Sequence, residues 1–112
     1  MTRRYSESEV LLSAQRAFVG EISSEMRAIS IHFSDDILIR VHHDGPWSSD
    51  SYEDFDASAV TCIVSDLPWS EEHGYPQVDL EFVRADSQSL LPMDGTYVFA
   101  RKGTQWRQPN QP

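Results

Sequence analysis

The chain has 112 residues, of which 9 are basic and 18 acidic, for a formal charge of −9 at pH 7. That length suits one compact domain, and 26 residues are Leu, Ile, Val or Phe, about 23%, above the under-20% range in which highly charged chains stay disordered. The acidity disfavours nucleic acid and anionic membranes as partners. The single cysteine, Cys62, excludes internal disulfides and thiolate-rich zinc sites.

The polar start Met1 to Glu7 lacks the apolar core of a signal peptide. No run approaches the roughly 18 apolar residues of a membrane span, so a cytoplasmic location is the expectation.

Ser6 followed by Glu9 reads as a capping box at a helix start. Val10, Leu11, Ala14, Phe18 and Ile22 then form a broad apolar face, and Gly20 weakens the last turn. From Arg27 the period switches to two, with Ile29, Ile31 and Phe33 against Ala28, Ser30 and His32. Turn residues Ser34-Asp35-Asp36 lead to Ile37, Ile39 and Val41 alternating with Leu38, Arg40 and His42, which predicts a β-hairpin. Asp44-Gly45-Pro46 ends its second strand.

Ser48, Ser49 and Ser51 are candidate caps for a second helix, with Asp50, Glu53, Asp54 and Asp56 in its first turns. Tyr52, Phe55, Ala59, Val60, Ile63, Val64 and Leu67 make its apolar stripe before Pro68. Cys62 falls beside that stripe and reads as a packed, inert thiol. Beyond a loop from Pro68 to Pro76, Val78, Leu80 and Phe82 alternate with Asp79, Glu81 and Val83 in a third strand. Thr96 to Arg101 gives a fourth, with Tyr97 and Phe99 on one side.

The order α-β-β-α-β-β predicts an α+β two-layer sandwich: a four-stranded antiparallel sheet with two helices on one face. Residues 1–102 form its single domain and residues 103–112 a frayed tail. The other sheet face is expected to be open, presenting residues such as Ala28, Ser30, His32, Leu38, Arg40 and His42.

Charge is segregated along the chain. No Lys or Arg occurs between Arg40 and Arg84, and residues 41–83 carry −10, whereas the remainder carries +1. One reading is that the acids merely solvate a helix. The other is that Asp50, Glu53, Asp54, Asp56, Glu71 and Glu72 steer a basic protein partner, with Trp47 and Trp69 as aromatic anchors.

Catalytic motifs are missing. There is no nucleophile elbow, phosphate-cradling glycine loop or H-E-x-x-H helix, so no enzymatic activity and no cofactor is expected. His42 and His43 are adjacent in a strand and point to opposite faces, which separates them as metal ligands. His32, His42 and Glu81 remain an alternative metal or enzymatic site if their strands bring them together. A homodimer through an edge strand or the open sheet face is a further alternative, motivated by Ala28, Leu38, Val83, Val98 and Ala100.

The stretch Glu9 to Glu21, then Arg27-Ala28-Ile29-Ser30-Ile31, resembles the opening of a widespread family of small bacterial proteins. Asp44-Gly45, the acidic Ser51 to Asp56 segment, Ile63 to Leu67 and Tyr97 to Lys102 continue the likeness, while the Trp69 to Pro76 loop and the Arg107 to Pro112 tail depart from it. The family resembles the immunity proteins that accompany contact-dependent or polymorphic bacterial toxins. The resemblance implies a non-enzymatic protein that covers a toxin's catalytic cleft or an adjoining surface. A basic toxin domain is the implied partner, because nuclease toxins that grip phosphates are often basic.

Overall fold

The computed structural model describes residues 6–34, 36–68, 71, 72, 74, 77–87 and 89–107. Helix α1 (Glu7–Ala17) begins where the Ser6 hydroxyl accepts the Glu9 amide at 3.2 Å, one of the helix-start donors that would otherwise lack a partner. It ends before Gly20, whose φ of +83° is a left-handed conformation that a side chain would strain. Val10, Ala14 and Phe18 are buried on its inner face.

Strands β1 (Met26–Phe33) and β2 (Ile37–His43) form the expected hairpin, with Ile29 opposite Val41 and Ile31 opposite Ile39. These four side chains are completely buried beneath the helices. Each stabilises the fold by about 2 kcal/mol through removal of apolar surface from water.

The second helical segment is one rod with a local change of pitch. Helix α2 (Ser49–Phe55) starts on a Ser48 cap, runs into a π-helical turn (Asp56–Val60), and continues as α3 (Thr61–Asp66). The Thr61 hydroxyl donates to the Asp56 carbonyl at 3.3 Å, beside the Thr61 backbone amide that binds the same oxygen. Phe55, Ala59, Val60, Ile63 and Leu67 of the apolar stripe are buried against the sheet.

Strands β3 (Val78–Arg84) and β4 (Thr96–Ala100) complete a four-stranded sheet of order β3-β2-β1-β4. The sheet is mixed, which corrects the expected all-antiparallel arrangement: β3 pairs parallel to β2, from Ile37 beside Val78 to His43 beside Arg84. The reason is the connection. The 34 residues between His43 and Val78 contain a helical rod that carries the chain back to the start of the sheet, as a parallel neighbour requires.

A second correction concerns β4. Its register against β1 shifts so that Phe99 faces Ile29 while Tyr97 faces Ser30. This bulge places Tyr97 on the sheet face opposite the helices, away from Phe99.

That second face is only partly open. Ala28, Ser30 and His42 are buried. The segment between β3 and β4 is anchored beside them: Arg27, 2% exposed, donates to the carbonyls of Ala85, Asp86 and Ser89 and to the Ser89 hydroxyl, at 2.7 to 3.1 Å. Leu91 exchanges backbone hydrogen bonds with Gln105 and Arg107, and Trp106 meets the Tyr97 ring edge-on at 4.5 Å. Residues 108–112 of the stretch expected to fray lie outside the described residues.

Candidate functional site

The acids of the charged segment fall into two groups. Asp44 lies 3.3 Å from Arg101, Asp66 3.2 Å from Arg16 and Glu81 2.9 Å from Arg40. The Asp44 carboxyl is also held below its ordinary range, first by the Ser87 hydroxyl and then by Arg101. In contrast, Asp50, Glu53, Asp54 and Asp56 are exposed and make no ion pair among the described residues. They occupy the solvent side of α2 and the start of the π turn, because the alternate side is taken by Tyr52 and Phe55.

Glu71 and Glu72 are exposed in the following loop, and Trp69 lies outside the described residues. Trp47 is 37% exposed and precedes the Ser48 cap, with its ring 5.7 Å from Phe82 and 6.0 Å from His43. Tyr52 packs edge-on against Phe82 at 5.4 Å, so it belongs to the core side of the rod.

Further along the same rod, a shallow groove of about 740 Å³ separates it from the end of α1. Arg16, Val19 and Glu21 form one wall, while Ala57, Ser58 and Cys62 belong to the other. Cys62 is exposed and in no disulfide, which corrects its reading as a packed thiol. The core stripe passes through Ile63 and leaves Cys62 turned outward.

The alternative histidine site has a different character. Ser30 Oγ lies 3.0 Å from His32 Nε2 and 3.3 Å from His42 Nε2, and the Tyr97 hydroxyl lies 3.3 Å from His42 Nε2. Because Tyr97 donates its only hydroxyl proton to the Pro92 carbonyl at 2.7 Å, His42 is the donor in its contact with Tyr97. Burial, reinforced by the Arg40 cation, pushes the His42 imidazole down to about 4, and burial with the Asp94 carboxylate raises the Tyr97 phenol to about 12. Both groups are held neutral at pH 7.

Glu81 does not join the two histidines. It is bound by Arg40, whose guanidinium also lies 3.4 Å from His32 Nε2, where it would repel a metal dication. Among the described residues no three His, Cys, Asp or Glu side chains are grouped to hold a metal ion. His43 faces the helices, stacked on Phe82 at 6.0 Å, so the two adjacent histidines do point apart.

Sequence reasoning found the acids and missed the groove beside them. The unused signal was the run of small side chains Ala57, Ser58, Thr61, Cys62 and Ser65 on the helix face opposite the apolar stripe. Compared with protein families, residues 7–103 match the model of the MafI2 immunity protein family. No curated protein matches the chain. No helix among the described residues is long and apolar enough to cross a membrane.

Proposed function

The chain belongs to the MafI2 immunity protein family, and from that premise we propose that it neutralises a basic toxin domain by binding it through the acidic face of α2. The action is steric and electrostatic, with no chemical step. The observation that carries this reading is the contrast between Asp50, Glu53, Asp54 and Asp56, which have no cationic partner among the described residues, and the neighbouring Asp44, Asp66 and Glu81, which each have an arginine. Unpaired acids on one helix face leave a field that accelerates encounter with a cationic surface. Trp47 at the start of the helix supplies an aromatic anchor, and Glu71, Glu72 and Trp69 extend the same charged segment in sequence.

The test is reversal of two acids together, Glu53→Lys with Asp54→Lys. Both side chains are exposed, so the thermal midpoint should stay nearly unchanged. Association with the toxin domain at low salt should slow by on the order of tenfold, and the difference from wild type should shrink at high salt. Unaltered association at low salt would rule out the acidic face as the docking surface.

A further inference from the structure

The acids and the groove share one face of the rod. Four-residue steps run from Asp50 through Asp54 and Ser58 to Cys62, and from Glu53 through Ala57 and Thr61 to Ser65, and every one of these residues is exposed. The first two turns of the stripe are acidic; the next three carry only small side chains, which leave room for a partner to approach the helix closely.

Across the groove stands Val19, 79% exposed, and Leu12, 61% exposed, lies on the same face of α1 one turn before Arg16. These exposed aliphatic groups beside a recess give a partner apolar area to cover. The charged groups of the walls are Arg16, Glu21 and Asp66, a net charge of −1, and Arg16 is already paired with Asp66. Together with Asp50, Glu53 and Asp54, the stripe therefore selects a cationic occupant.

We propose that this groove receives a segment of the toxin that places an aliphatic side chain against Val19, Ala57 and Cys62 and directs lysine or arginine toward Glu53, Asp54 and Glu21. The inference rests on the immunity reading above and deepens it. The acids govern arrival, while the groove governs residence, because the recess offers apolar area that a partner covers on contact.

Cys62 makes the groove addressable, since it is the chain's single cysteine and is exposed. The experiment compares the purified protein carrying a methylthio group on Cys62, the same protein carrying a bulky aromatic maleimide adduct there, and Ser58→Trp. Each is titrated with the purified toxin domain at low and high salt, after its thermal midpoint has been confirmed. A Cys62→Ala, Ser34→Cys protein bearing the same maleimide serves as control, because Ser34 sits at the exposed turn of the β1–β2 hairpin.

The bulky adduct and Ser58→Trp should each weaken binding about tenfold or more at both salt concentrations, chiefly through faster dissociation. The methylthio protein and the Ser34 control should bind like wild type. Wild-type affinity in both groove-filled proteins would overturn the groove while leaving the immunity reading intact. Failure of the unmodified protein to bind the toxin domain would overturn both.

Discussion

The Tyr52 hydroxyl donates to the Leu80 carbonyl at 2.8 Å and thereby occupies part of the outer edge of the sheet. In the β2–β3 pairing, Ile37 donates to the Gln77 carbonyl and Ala85 to the His43 carbonyl. This pattern turns the odd-numbered groups of β3 toward β2 and leaves the Leu80 carbonyl pointing outward. An edge strand with free backbone groups invites pairing with another chain, and a tyrosine that binds one of them from α2 blocks that approach.

Tyr52→Phe keeps the ring against Phe82 and removes only this bond. Stability should fall by about 1 kcal/mol in urea unfolding. The variant should also self-associate more than wild type by sedimentation at high concentration. An unchanged midpoint would show that water replaces the hydroxyl without loss.

Arg27→Met removes the donors that tie the segment after β3 to the buried side of β1. The Ala85 and Ser89 carbonyls lose their guanidinium partner, whereas the Asp86 carbonyl keeps the Ser89 hydroxyl at 2.7 Å. We expect a loss of about 2–4 kcal/mol. Amide exchange should accelerate first at Leu91, whose N–H binds Gln105, and last at Ile39 in the sheet centre. Equal acceleration at both amides would mean that the segment and the sheet unfold as one unit.

Much of this architecture was legible because its signals are local. Ser6 and Ser48 cap the helices they precede, and the alternation of Ile29, Ile31, Ile37 and Ile39 identifies the buried sheet face. The direction of β3 was not legible from alternation, since Val78, Leu80 and Phe82 alternate identically in either direction; the long helical connection held that information. The cover over Ala28 and His42 was hidden because it depends on Arg27 reaching residues about 60 positions away, in a segment without periodicity. For the candidate site, sequence revealed the acids but not which were neutralised, because Arg16 and Asp66 meet only through the packing of α1 on α3.

Gly95 separates two effects usually confounded in glycine substitutions. Its φ is +72°, and a Cβ placed there would stand 2.6 Å from His32 Cε1 and 2.8 Å from Nδ1. Gly45 has a similar φ of +78°, but a Cβ there meets nothing within 4 Å. Gly45→Ala should destabilise by about 1 kcal/mol from backbone strain alone. Gly95→Ala should lose at least about 1 kcal/mol more, because the His32 ring must move away from Ser30. Equal losses would mean that His32 gives way freely.

His42 should make folding stability depend on pH in a window where the shifted carboxylates remain ionised. In the unfolded chain its imidazole takes a proton near 6.5, whereas in the fold burial and Arg40 lower this to about 4. The groups around it are Ser30, Tyr97, His32, Arg27, Arg40 and Asp94, of which Asp94 alone favours the charged ring. The contribution of neutral His42 is therefore complete above pH 6.5 and is lost as pH falls toward 4. Between pH 7 and pH 5 it corresponds to about 2 kcal/mol. Asp44 and Asp86, lowered from 3.8, lose their contributions only at lower pH. His42→Gln retains a side-chain donor but cannot titrate, so its urea midpoint should change less than half as much as that of wild type over this range. Identical pH dependence in the two proteins would overturn the assignment to His42.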